Sequence, residues 1–121
     1  MEHCINKLND NFEEICAYGN KDDIIYYVNK FNIDINSDDG YFLEIIACRN
    51  DLELFKLMVE LGGNIKLNNN GSLQIFAHNG NLDAVKYIIN ECGGDYKVLM
   101  RTTAMTNYDN VHNYIKKNYI D

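Results

Sequence analysis

Three stretches of this chain align letter under letter: FEEICAYGNKDDIIYYVNKFNIDI, FLEIIACRNDLELFKLMVELGGNI and SLQIFAHNGNLDAVKYIINECGGD. Ala17, Ala47 and Ala77 fall in one column, 30 residues apart at each step. A fixed period of roughly 20–50 residues is the signature of a solenoid, in which a unit too small to bury its own apolar face stacks on the next. Small helical units stacked this way present a surface more readily than an enclosed reaction chamber, so the repeat points to binding before any single residue does.

The third copy shows the physics most clearly. Leu73, Phe76 and Ala77 stand at i, i+3 and i+4, the spacing of one face of a short helix, and Ser72 precedes them as an N-cap candidate. Asn79-Gly80 ends that helix, because Gly adopts left-handed backbone freely and Asn does so more readily than most residues. The same column holds Asn50 and Asn20, so a left-handed turn is expected in all three copies. A second helix follows, with Asn81 as N-cap and Asp83 placing negative charge in its first turn. Its apolar face is read as Leu82, Val85, Ile88 and Ile89, answered in the second copy by Leu52, Phe55, Met58 and Val59. Gly62-Gly63 and Gly93-Gly94 release the chain from these helices. The linking segments IDINSDDGY and IKLNNNGS carry turn chemistry. The three alanines mark places where helices approach closely. The expected fold class is all-α, with one domain over residues 1–121 and approximate repeats 1–36, 37–66, 67–96 and 97–121.

The two ends read as caps. MEHCINKLND forms a short leading helix that sets Ile5 and Leu8 against the first copy. Residues 96–121 read as a degenerate fourth copy, its last helix starting at Asn107-Tyr108-Asp109. Val111, Tyr114 and Ile115 face inward, whereas Asn110, His112, Asn113, Lys116 and Lys117 give the polar outer side that a terminal repeat needs.

Charge and motif content exclude several function classes. The net charge is −7, with no basic patch for nucleic acid, and an acidic surface favours a basic partner. No stretch approaches the ~20 apolar residues of a membrane span, and the N-terminus lacks the pattern of a signal peptide. Cys4, Cys16, Cys48 and Cys92 show no C-x-x-C spacing, which fits a reduced intracellular compartment. His3, His78 and His112 are too dispersed for a zinc site. Asp22-Asp23 and Asp38-Asp39 read as cap and loop residues, and no phosphate-binding or nucleophile motif occurs. The expectation is therefore no enzyme, no cofactor and no metal. The many tyrosines, Tyr41 and Tyr114 among them, read chiefly as packing residues, with an exposed one a natural interface anchor.

The units resemble ankyrin repeats. The family pattern G-x-T-P-L-H-x-A-A-x-x-G-H-L-E-V-V-K-x-L-L-x-x-G-A-D is met by GSLQIFAHNGNLDAVKYIINECGGD at 71–95 and by YFLEIIACRNDLELFKLMVELGGN at 41–64. The run N-G-N-L-D-A-V-K-Y-I-I at 79–89 is its most specific piece. No copy has the Thr-Pro opening, Glu44 and Gln74 replace the following His, and the period is shorter than the ~33 residues of ordinary ankyrins. Period and composition are similar to the ankyrin arrays of giant DNA viruses. The resemblance implies a helical solenoid of about four helix–turn–helix units with short or irregular hairpin loops, in the cytoplasm, the host's if viral. It implies partner binding by the concave face. Carried onto this chain, that face comprises Tyr18, Gly19, Cys48, Arg49, His78, Asn79, Ala104 and Met105, with Asp38, Asp39, Asn68, Asn69 and Asn70 as finger residues. The function it implies is a protein–protein interaction module that binds a protein or peptide, without nucleic acid or membrane, as a monomer. The alternative is a structural repeat protein that assembles with copies of itself.

Overall fold

The structure is a computed structural model that describes residues 2–102 and 109–120, with side chains over 8–100 and 110–120. Ala104, Met105, Asn107 and Tyr108, and the side chains of His3, Cys4 and Ile5, lie outside the described residues. Among the described residues all regular structure is helical and no strand occurs. In chain order come α1 (Glu2–Tyr18), α2 (Lys21–Phe31), α3 (Ser37–Cys48), α4 (Leu52–Glu60), α5 (Leu67–His78), α6 (Leu82–Cys92), α7 (Lys97–Thr102) and α8 (Asp109–Ile115). A π-helical segment, Lys116–Ile120, follows α8. The chain divides into two compact units, Met1–Gly63 and Asn64–Asp121.

In the first unit α1 packs on α2 and α3, and α3 on α4. The packing follows the repeat columns. Phe12 and Phe42, 30 residues apart, meet edge to face with ring centroids at 4.9 Å, the geometry that aromatic quadrupoles favour. Cys16 and Ile46 fill the next buried column, and Ile24 and Leu54 the next. In the second unit α5 packs on α6 and α7, and α6 on α8. Leu73, Phe76, Ala77, Ala84, Val85 and Ile88 are buried there with Leu99, Val111 and Ile115. A fully buried Phe or Ile stabilises by about 1.5–3 kcal/mol, so these columns supply the main favourable term. The inward positions of the second helices differ in part from the sequence reading. Leu54 and Ala84 are buried, whereas Leu52, Val59, Leu82 and Ile89 are only half-buried, so the buried stripe runs through Leu54, Phe55 and Met58 in α4 and through Ala84, Val85 and Ile88 in α6.

The helix ends carry the repeat as backbone conformation. Asn50 (φ 58°) and Gly80 (φ 70°) make the expected left-handed turn inside their helical pairs. Asn32 (φ 51°), Gly62 (φ 106°) and Gly93 (φ 73°) make the left-handed exit from the second helix of each pair. Asn20 does not follow its column. Its backbone is extended and its side chain caps α2, accepting from Asp23 N–H while Asp23 returns a bond to Asn20 N–H. This reciprocal capping box starts α2 one residue earlier than Asp51 and Asn81 start α4 and α6, so the first turn is too short for a left-handed residue. The leading segment also departs from expectation, since residues 2–18 form one continuous helix.

The linking segments do not form hairpins. They close with an Asx turn, in which Asp34, Asn64 and Asp95 each accept from the N–H two residues on. In α3 and α5 the entry is a run of left-handed residues: Asp38, Asp39 and Gly40, then Asn68, Asn69 and Asn70. Left-handed backbone costs an ordinary L-residue roughly 1–2 kcal/mol, and only Gly, with Asn and Asp behind it, adopts it routinely. The letters DDG and NNN are therefore a conformational specification. Ser72, read as an N-cap, lies buried after this run in the column of Phe12 and Phe42. Asn69 is exposed at φ 54°, so Asn69→Val is expected to lower stability by about 1–2 kcal/mol and Asn69→Gly to leave it nearly unchanged. Urea melts of the two variants beside the parent measure this difference.

Candidate functional site

The residues expected at a binding surface are placed unit by unit. In the first unit Tyr18, the last residue of α1, is 84% exposed, an unusual position for so large a ring. Cys48, in the same column at the end of α3, is also exposed. Asp38 and Asp39 are exposed in the left-handed entry to α3. Asn68 and Asn69 in α5, and His78 and Asn79 at its end, are exposed in the second unit. Gly19 is half-buried, and Asn70 is buried with its Oδ1 accepting from Asp95 N–H at 3.1 Å.

Arg49 has a structural task that its column did not announce. It is half-buried, and its Nη1 donates to the carbonyls of Cys16 (2.9 Å) and Gly19 (2.8 Å). Those oxygens belong to the end of α1 and the turn after it, where helix carbonyls lack intrahelical partners and the dipole is negative. Arg49 thus ties the second copy to the first. Asn110 does similar work in the second unit, donating from Nδ2 to the Gly80 carbonyl at 2.9 Å.

Two exposed arrangements emerge only from the folded chain. On the first unit Tyr41 is 44% exposed and donates from its hydroxyl to Glu13 Oε1 at 2.9 Å. That carboxylate acceptor pushes the Tyr41 phenol above its usual value. Glu14 and Glu44 share a neighbouring column, so aromatic rings and carboxylates accompany one another along α1 and α3. The second arrangement is a groove of about 630 Å³ beside α2 and α4. Ile25, Leu54 and Leu57 form its apolar part, and Lys21, Lys56, Glu53 and Glu60 its charged part. The Tyr41 pairing was not legible, because Asn11, Tyr41 and Gly71 share a column without sharing chemistry.

In the second unit a polar triangle holds the chain end to α6. Asn90 Nδ2 donates to the Tyr114 hydroxyl at 3.2 Å, and the Tyr119 hydroxyl donates to Asn90 Oδ1. Tyr96 stacks on Tyr119 at 4.8 Å, and Lys86 Nζ lies 5.0 Å from the centre of the Tyr114 ring. Hydrogen bonding from Tyr119 and Asn90 moves the Tyr114 phenol down, while burial and Tyr114 push Tyr119 up to about 12. Tyr114 is half-buried here, with Val111 and Ile115 fully inward.

Among the described residues no cluster of three or more His, Cys, Asp or Glu side chains is arranged to hold a metal ion. None of the described helices is long and apolar enough to cross a membrane. Comparison with protein-family models, curated proteins and solved structures found no match to this chain.

Two outcomes are expected. Arg49→Ala removes charge-assisted bonds to two carbonyls and lowers stability by about 1.5–3 kcal/mol, whereas Arg49→Lys recovers little because one ammonium cannot reproduce the fork; thermal melts of both check this. The second concerns Cys16, whose thiol burial pushes up from 9.0 to about 12. Above pH 9 the unfolded thiol ionises while the folded one keeps its proton, so the unfolded state binds fewer protons and stability falls from about pH 9 towards 12. Urea midpoints across that window should decline more steeply in the parent than in Cys16→Ala.

Proposed function

We propose that this chain is a non-catalytic interaction module of the ankyrin type, a solenoid of about four helix–turn–helix units, that grips a basic segment of a partner protein or peptide. The observation that carries the reading is the pair α1 and α3 of the first unit, which pack side by side with Tyr18 and Tyr41 exposed, Tyr41 bonded to Glu13, and Glu14 and Glu44 on the same two helices. Aromatic rings attract a Lys or Arg head by roughly 0.5–1 kcal/mol at exposed sites. Carboxylates around them add long-range steering more than net affinity, since exposed ion pairs contribute little each. A chain of net charge −7 repels phosphates, so the same face disfavours nucleic acid. Periodic burial and left-handed helix exits support the ankyrin-type assignment, because they repeat the backbone requirements of such units.

This reading places Arg49 in the scaffold and moves the recognition chemistry to Tyr18, Tyr41 and the glutamates. Asp38, Asp39, Cys48, Asn68, Asn69, His78 and Asn79 remain candidate contacts by exposure. A standard interface buries ~800 Å² on each partner, within reach of a chain this size binding one extended segment.

Fluorescence anisotropy with labelled peptides of basic, neutral and acidic composition tests the proposal. The basic set is expected to bind with an affinity that falls as salt rises. Glu14→Lys combined with Glu44→Lys should weaken it about tenfold, and Tyr18→Ala should weaken it while circular dichroism remains that of the parent. Equal binding of acidic and basic peptides, or indifference to these substitutions, overturns the reading.

A further inference from the structure

We infer that the Asn79–Gly80 step is a site of spontaneous deamidation, and that the fold directs this chemistry to it and away from the chain's other Asn–Gly step, Asn70–Gly71. The reaction needs only water. The Gly80 backbone nitrogen gives its proton to hydroxide and attacks Cγ of Asn79. A bond forms between that nitrogen and Cγ, the Cγ–Nδ2 bond breaks, and the amide leaves as ammonia with a proton from water. The resulting succinimide adds water at either carbonyl, giving aspartate or isoaspartate at position 79. Glycine as the attacking residue places no side chain in the way of ring closure.

The two steps are the same in sequence and unlike in structure. Asn70 is 8% exposed, and its side-chain carbonyl is held by Asp95 N–H at 3.1 Å. Its own N–H donates to Lys66 O. Ring closure there requires unpacking the entry to α5 and stripping a buried amide of its partner. Asn79 is exposed at the C-cap of α5. The Gly80 N–H donates to the Ala77 carbonyl at 3.0 Å and its carbonyl accepts from the exposed Asn110 at 2.9 Å, so closure waits for that surface helix end to open, and helix ends open at low free-energy cost.

The repeat explains why the labile step is in this copy. The column needs a left-handed residue, which the second copy supplies as Asn50 at φ 58° and the third as Gly80 at φ 70°. A Cβ at position 80 would meet no atom closer than Asn110 Oδ1 at 3.8 Å. Gly80→Asn therefore restores the residue of the second copy without a clash and slows ring closure by adding a side chain. Deamidation puts a negative charge at the C-terminus of α5, where the dipole disfavours it. The isoaspartate form also adds a backbone carbon to the turn held by Asn79 N–H to Ile75 O, Gly80 N–H to Ala77 O and Asn81 N–H to Phe76 O. Any effect on partner binding rests on the function proposed above, whereas the chemistry at position 79 does not.

The test is incubation of the purified full chain at mildly alkaline pH, followed by digestion and mass spectrometry that separates aspartate from isoaspartate. In the folded chain product is expected at position 79 about tenfold faster than at 70, the ratio that ~1.4 kcal/mol of added opening cost produces. In urea both steps should react at similar rates. Gly80→Asn, with the circular dichroism of the parent, should silence position 79. Equal rates at 70 and 79 in the folded chain overturn the proposal, as does a folded chain silent at 79 while the urea sample reacts.

Discussion

Left-handed backbone at a few corners is the constraint on which the other features depend. Each helical pair must reverse direction within two or three residues, and each second helix must be brought to an end. Asn50 and Gly80 perform the first task, and Asn32, Gly62 and Gly93 the second. These positions are filled by the two residue types for which positive φ is cheapest. Were the corners looser, the buried columns of Phe12 with Phe42, or of Phe76 with its neighbours on α6, would lose their register. The runs at 38–40 and 68–70 apply the same device at the helix entries, which accounts for clusters of Asp and Asn that composition alone leaves unexplained.

Polar side chains then lock what the corners permit. Arg49 gathers two carbonyls at the end of α1, Asn36 donates to the Gly62 carbonyl, Asn70 receives Asp95 N–H, and Asn110 reaches the Gly80 carbonyl. All of these bonds span 25 residues or more. A buried or half-buried carbonyl left without a partner would cost more than the bond itself contributes. A residue in a column associated with recognition can thus be occupied by the scaffold, as Arg49 is, and recognition is left to rings and carboxylates that the packing turns outward. Cys16 belongs to the same economy, since it sits in the buried column beside α3 as an apolar filler with a suppressed thiol acidity.

Much of the fold was legible because its determinants are local. Helix spacing, the cap at Asn81, the Gly-rich exits and the inward Val111 and Ile115 all follow from residues within a turn of one another. The misreadings were also local, and each has a physical cause. Asn20 suits either a left-handed turn or an N-cap, and Asp23, three residues on, decides for the cap. Leu52 and Leu82 lie at the helix start, where their outward side is not covered, so burial passes to Leu54 and Ala84. The candidate surface was less legible. The exposure of Tyr18, the pairing of Tyr41 with Glu13 and the recruitment of Arg49 depend on which helices lie side by side.

By itself the sequence determined a helical chain of thirty-residue units, the identity of most corners and a net charge of −7. Period, propensity and charge are properties of neighbouring letters, and they need no partner in space. Only the tertiary structure decided that Arg49 is spent on the carbonyls of α1, and that one Asn–Gly step is sealed while the other stands open. Those outcomes rest on hydrogen bonds and burial between residues far apart in the chain, and such pairings exist only once the helices have packed.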